Sequence, residues 1–316
     1  MEVDPLVGLV EVLPDLGQEV ENVTGFGTKD SLLNPYPWRK NMKPESQNKA
    51  PLSVIIPCYR CKETIGRALA SVASQTWPPQ EVILVDDGND EEIANFLKEM
   101  QEFYGKNWIK LFRLQENQGP GAARNLGWDA STQPYIAFLD ADDTWHPKKV
   151  ELQLSFMLSH PEVALTAHRW TWLEKWSGDN VPDNPSKVKA HPISPRKLLL
   201  SNRLATPTVM LRRNLPFRFD PRKRFSEDYL LFLTILLSGF PGFYLEATLT
   251  YLHKPPYGAS GLSGKLWAME VGELDTYLRL YREGRIPLWI LMGIVPFSLA
   301  KYARRVVRSL AWRRKV

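Results

Sequence analysis

Three carboxylates fall within four residues at Asp140, Asp142 and Asp143, directly behind the apolar run 135–139. Like charges packed this closely repel, so the cluster needs a cation or several hydrogen-bond donors to offset it. Asp140 and Asp142 lie two apart, and an extended backbone therefore aims both to one side. An acidic turn capping the following helix is the competing reading, and it applies most directly to Asp143. A second acidic pair, Asp86 and Asp87, closes the apolar run 81–85. A third, Glu227 and Asp228, opens the apolar run 229–237. An acid at the mouth of a buried helix either complements the helix dipole as a cap or takes a proton from a bound hydroxyl as a general base.

These acids all sit at the ends of segments that must position them. Residues 52–57 form a β-branched apolar run that stops at Pro57, Cys58 and Tyr59, which reads as a strand meeting a loop. Ile65, Leu69, Val72 and Ala73 recur at helical spacing until Trp77-Pro78-Pro79 ends the helix. Strand 81–85 is followed by an amphipathic helix over 91–104, with Ile93, Phe96, Leu97 and Met100 on one face. Strand 109–114 leads through a Gly-rich turn at 117–121 into a helix carrying Arg124. Strand 135–139 then delivers the acidic cluster. Strands alternating with helices predict an α/β fold, a Rossmann-like doubly wound and mostly parallel sheet with ligand groups at the carboxyl ends of its strands.

With 316 residues, 44% hydrophobic and 24% charged, the chain has an ordinary globular composition. Its net charge of +5 is unevenly placed, because the last sixteen residues hold seven Lys and Arg and no acid. Basic character is thus a property of the tail, and a nucleic-acid-binding surface is not indicated. Cys58 and Cys61 have a Cys-x-x-Cys spacing, but no second pair completes a zinc site, so two free thiols are expected. Asn22 begins a glycosylation sequon, yet residues 1–20 are acidic and do not read as a signal peptide.

The motifs together resemble the family 2 glycosyltransferases of the GT-A fold. The resemblance rests on Pro57-Cys58-Tyr59, Val85-Asp86-Asp87-Gly88, the stretch Asn117 to Gly127 with Ala123-Arg124-Asn125, Asp140-Ala141-Asp142, and Ser226-Glu227-Asp228, in that order. Asn89 stands where the family usually has Ser. The resemblance implies an inverting transfer of a sugar from a nucleotide-diphosphate donor, a UDP-sugar, to a hydroxyl of a polysaccharide or lipid-linked glycan. It assigns Asp228 as general base, Asp142 to a divalent metal (Mn²⁺ or Mg²⁺) and Asp140 to the ribose. It places Asp87, and with it Asp86, at the base, where Pro57 and Tyr59 shape the pocket edge. Arg124 opens to the same crevice, and His253 completes the metal shell or holds a phosphate. A polyprenyl phosphate as acceptor is a variant of this reading. A catalytically silent nucleotide-sugar-binding or scaffold protein is the alternative from another class.

The expected organisation is an N-terminal extension over 1–50, a nucleotide-sugar-binding half over 51–165, an acceptor half over 166–258, and a helical, membrane-associating segment over 259–316. Trp170, Trp172 and Trp176 concentrate aromatics in the acceptor half, and the polar, Pro-rich stretch 178–195 reads as a loop over it. Residues 286–300 are apolar but shorter than the ~20 residues of a spanning helix, and Pro296 interrupts them. The basic segment after them, with Tyr302, Val306 and Leu310 on one face, suits peripheral docking on the cytoplasmic face of the cell membrane.

Overall fold

The computed structural model describes residues 48–173, 181–253 and 265–313, with side chains in the final helix described to residue 307. Residues 1–47 of the expected 1–50 extension, with Asn22, and also Trp176 and the start of the 178–195 loop lie outside the described residues.

Among the described residues nine strands form one sheet: β1 (Ala50–Cys58), β2 (Pro79–Asp87), β3 (Ile109–Leu114), β4 (Tyr135–Phe138), β5 (Thr144–Trp145), β6 (Leu165–Trp172), β7 (Ala190–Pro192), β8 (Met210–Arg212) and β9 (Gly242–Leu252). They lie in the order β3-β2-β1-β4-β8-β6-β9-β5, with β7 also paired to β9. The first four are parallel. β8 then turns the sheet antiparallel against both β4 and β6. Strands β1 and β2 are buried along nearly their whole length, which is why they read as continuous apolar runs and not as alternating ones.

Helices α1 (Ile65–Ala73), α2 (Glu91–Tyr104), α3 (Pro120–Ala130) and α4 (Lys149–Ser159) alternate with the strands, followed by α5 (Pro195–Leu200), α6 (Glu227–Leu237), α7 (Leu266–Arg282) and α8 (Leu288–Arg313). Asp90 caps α2 by accepting the Ile93 N–H at 3.0 Å. Gly127 lets α3 lie directly on the sheet, since a Cβ there would stand 2.5 Å from Ile55 Cγ2. The principal core joins Ile55, Val85 and Phe138 of the sheet to Trp128 of α3, Phe232 of α6 and Tyr277 of α7.

Two consequences of topology position the site. The chain leaves β1 for β2 and β3 on one side and returns to β4 on the other, so the crevice between β1 and β4 is the point where α/β sheets gather ligands. Pairing of Thr144 with Tyr251 across β5 and β9 brings the end of β9 back to the acidic loop.

Two expectations need correcting. Asp143 does not cap α4, which starts at Lys149 behind Lys148 with no side-chain cap; its buried carboxylate instead accepts the His253 N–H at 3.3 Å. Pro296 does not end the C-terminal helix but sits inside α8. Proline has no N–H to donate to the preceding turn, and the helix continues past it.

Candidate active site

The loops after β1 and β2 are tied together. Asn89 holds the turn from three sides, donating to the Cys58 carbonyl at 2.7 Å and to Asp86 Oδ1 at 2.7 Å while accepting the Arg60 N–H at 2.7 Å. Asp86 is buried, and its other oxygen pairs with Arg113 at 3.1 Å. Asp87 accepts the backbone N–H groups of Gln118 at 2.8 Å and Gly119 at 3.0 Å, plus the Asn117 side chain at 3.0 Å. Burial raises its pKa above the ordinary carboxylate value, and those two N–H groups oppose the rise. Both acids thus fasten their own loops in this state. Gly88 is required directly after them, because its φ of 67° is left-handed and a Cβ would meet Asn117 N at 2.3 Å. Tyr59 stands 46% exposed just beyond β1, with the Arg60 guanidinium 5.2 Å from its ring centre. Pro57, the residue before Cys58, is half-buried at the same edge.

The acidic loop after β4 forms a second group. Asp143 N–H donates to the Asp140 carbonyl at 3.0 Å, closing the loop on itself. Arg67 of α1 reaches across to donate to the Asp142 carbonyl at 2.7 Å. His253 Nε2 lies 2.8 Å from the Thr144 hydroxyl. Burial, reinforced by the charge of Arg67 and opposed by that of Asp142, pushes the His253 pKa down to about 4. The imidazole is therefore neutral at neutral pH, the state a metal ligand needs. Among the described residues no group of three or more His, Cys, Asp or Glu side chains forms a preformed metal cage. A carboxylate and a neutral imidazole do fit a cation that draws its remaining ligands from substrate phosphates and water, as Mg²⁺ commonly does.

The third group links the first turn of α3 to the first turn of α6. Arg124 is 4% exposed and donates to Asp140 at 2.7 Å and to Glu227 at 2.9 Å, two acids from separate motifs. Burial works against its charge, but Asp140 and then Glu227 more than offset this and hold the guanidinium firmly protonated. Glu227 is pushed up to about 7, by burial first and the Asp228 charge second, with Arg124 opposing. The two directions differ because one guanidinium faces Asp140, Glu227 and Asp228 together. Arg124 keeps its charge, and Glu227 is the acid that a proton relieves. Asp228 accepts the Thr206 hydroxyl at 2.8 Å on Oδ2. Thr206 belongs to a short 3₁₀ turn, Thr206–Thr208, held by Trp145 Nε1 donating to the Pro207 carbonyl at 2.8 Å.

Arg124, Asp140 and Asp228 thus come together, and Asp142 joins them through its loop with His253 beside it. Asp86 and Asp87 occupy the neighbouring loops, occupied by their own partners. Sequence reasoning missed Arg67, Thr206, Arg224 and the bridging role of Glu227. Arg224, exposed on the segment before α6, donates to the Asn117 carbonyl at 3.0 Å and acts electrostatically on Asp87. Its position just before Ser226-Glu227-Asp228 was the one available signal. Trp170 and Trp172 meet edge to face on β6, with ring centres 4.9 Å apart. Cys58 and Cys61 are free, buried thiols, as expected.

The sequence profile described as glycosyl transferase family 2 matches residues 53–220, more than half of the chain. An uncharacterized glycosyltransferase of Rickettsia bellii is 32% identical over 63% of this chain, but the match spans only 28% of that longer relative. The UDP-Glc:alpha-D-GlcNAc-diphosphoundecaprenol beta-1,3-glucosyltransferase WfgD of Escherichia coli is 31% identical over 58% of this chain and 69% of its own. Among solved structures, the mannosyltransferase PcManGT of Pyrobaculum calidifontis, in complex with GDP-Man and Mn²⁺, superimposes with a TM-score of 0.55. It is 15% identical, and the match covers 89% of this chain and 82% of that one, a likeness of fold. The architecture is that of the GT-A glycosyltransferases.

Proposed function

The chain belongs to glycosyl transferase family 2, and from that premise we propose that it moves a sugar from a nucleotide-diphosphate donor, UDP-linked, to a hydroxyl of a polysaccharide or lipid-linked glycan. The observation that carries this reading is the Arg124 bridge, which fixes Asp140 of the donor loop beside the Glu227-Asp228 pair from a segment 103 residues further on. Donor and acceptor groups must meet at one carbon for a direct displacement, and the bridge supports such a meeting.

In this reading the base and ribose lie over the β1 and β2 loops. Tyr59 offers a face for the base at the Pro57 edge, Asp86 and Asp87 hold the loop that reads it, and Asp140 takes the ribose. Arg67 and Arg224 supply positive charge around the diphosphate. A divalent cation, Mn²⁺ or Mg²⁺, held by Asp142 and His253 would supply Lewis-acid stabilisation of the departing diphosphate. Residues 51–165 serve the donor and 166–258 the acceptor.

Asp228 accepts the proton of the acceptor hydroxyl as that oxygen bonds to the anomeric carbon. The bond from that carbon to the diphosphate breaks on the opposite face, and its electron pair leaves with the phosphate. A single displacement of this kind inverts the anomeric centre and needs no covalent enzyme intermediate. WfgD names a diphosphoundecaprenol-linked acceptor, which supports a lipid-borne glycan here and a site of action on the inner face of the cell membrane.

The test is turnover of UDP-sugars with Mn²⁺ or Mg²⁺ by the wild type and by Asp228→Asn. The reading requires turnover by the wild type and a loss of about 10²-fold or more in the variant. If both proteins bind a nucleotide sugar and neither consumes it with any glycan acceptor, the chain is a binding or scaffold protein.

A further inference from the structure

The outer surface of the last two helices is apolar in a way that packing on the rest of the chain does not explain. Along α8 the exposed positions between residues 288 and 303 carry no charge. Trp289 is 71% exposed and Met292 69%, and Leu288, Pro296, Leu299 and, beyond them, Val307 continue the surface over ~30 Å of helix. α7 presents a matching stripe at Trp267, Val271, Leu278 and Tyr281, spaced so that all four share one helix face. The two helices are antiparallel neighbours, with Trp267 packed edge to face on Tyr302 at 5.4 Å.

Charge is sorted just as sharply. The acids of α7 are Glu270, Glu273 and Asp275, and each is engaged within the protein. Glu270 accepts the buried Ser298 hydroxyl and pairs with Arg305, Glu273 pairs with Lys301, and Asp275 pairs with Lys223. α8 has no acid at all. Lys301 and Arg305 therefore spend their charge on α7. Among the described residues the exposed rim is left with Lys265, Arg282 and Arg304, and with one acid at the end of α7, Glu283, which pairs with Arg285; the sequence adds Arg308, Arg313, Arg314 and Lys315 beyond.

We propose that the paired outer faces of α7 and α8 form a platform that lies in the interfacial plane of an anionic lipid bilayer. The apolar stripes and the tryptophans would enter the headgroup–acyl boundary, and the basic rim would meet anionic headgroups. No described helix is long and apolar enough to cross a membrane, so α8 lies along the surface. A second copy of the chain is the poorer occupant, because two such faces would bring like-charged rims together. This rests on the reading that the acceptor is lipid-borne, and it replaces a basic helix with an apolar two-helix face as the anchoring element.

The test is flotation of the purified full-length protein with vesicles of phosphatidylglycerol and phosphatidylcholine, against phosphatidylcholine alone. The anionic vesicles should carry the protein, high salt should weaken but not abolish this, and Trp289→Asp with Met292→Asp should lower the bound fraction about tenfold or more. The same variant should keep its unfolding midpoint and its turnover of UDP-sugar with a water-soluble acceptor. Failure of the wild type to float, or equal flotation of the variant, overturns the platform. A wild-type dimer that these substitutions dissolve, without flotation, assigns the face to a second copy. Absent turnover with intact flotation would count against the glycosyl-transfer reading alone.

Discussion

The Thr206 hydroxyl donates to Asp228 Oδ2 across 2.8 Å, so the proposed base is aimed by a turn from an otherwise unremarked stretch of chain. That turn is itself fixed, with Trp145 Nε1 and the Thr250 hydroxyl both donating to the Pro207 carbonyl. Thr206→Val preserves shape and removes only the donor. The expected result is a fall in kcat of roughly tenfold with KM for the nucleotide sugar little changed, as for a group that orients a base without touching the donor. A matching rise in KM would place Thr206 in donor binding instead.

Arg124 joins Asp140 and Glu227. Arg124→Met leaves Glu227 buried without its partner, and breaking a buried pair from one side costs about 3–5 kcal/mol. Urea unfolding should show that loss. Adding Glu227→Gln should recover part of it, since the stranded carboxylate is then gone. Destabilisation without recovery would mean that Arg124 matters chiefly through its packing on Phe219, whose ring centre lies 5.5 Å away.

The β1–β4 part of this arrangement was legible in the sequence because local signals suffice there. β1, β2 and β4 are apolar runs ended by Pro or Asp, and their carboxyl ends carry the Pro57, Asp87 and Asp140 motifs. The rest was not. β5 has two residues, and β7 and β8 have three each, too short for any periodic signal, and they exist only because β9 and β4 supply partners. Thr206 and Arg67 were invisible for the same reason: each meets its acidic partner through tertiary packing. Asn89, which stands where the resembled family usually has Ser, holds the β1 and β2 loops together with its amide, a role that its sequence position alone does not signal. Asp143 misled because an acid before a helix resembles a cap, whereas its partner comes from the far end of β9.

Glu227 gives the protein a titration near neutrality. Its folded pKa, pushed up to about 7 by burial and by Asp228, lies above the ordinary value of 4.5. The folded state therefore binds the extra proton in between, and this contribution to stability is full below pH 4.5 and lost as pH rises through 7. Glu227→Gln removes it. Denaturation at pH 5, 6, 7 and 8 should show a slope in the wild type, summing to as much as about 3 kcal/mol, that flattens in the variant. Parallel profiles would assign the slope to other groups.

Lys149 offers the opposite sign. It is fully buried at the first residue of α4, and its ammonium finds no hydrogen-bond partner among the described residues. The Trp145 ring lies 3.7 Å beneath it and offsets part of the cost, but a positive charge at a helix N-terminus opposes the dipole. Burial drives its pKa well below the ordinary 10.5. Between its lowered folded pKa and 10.5, unfolding takes up a proton, which favours the unfolded chain, and the penalty fades as pH rises toward 10.5. Lys149→Met keeps the length of the side chain and removes the charge. The variant should be more stable than the wild type by about 1–4 kcal/mol at pH 7, with the gain shrinking at pH 10. A variant that is less stable at pH 7 would show that the amine has a partner in solution, with the buried Nε2 of His168 and Oε1 of Gln153, both unpaired among the described residues, as the first places to look for a bridging water.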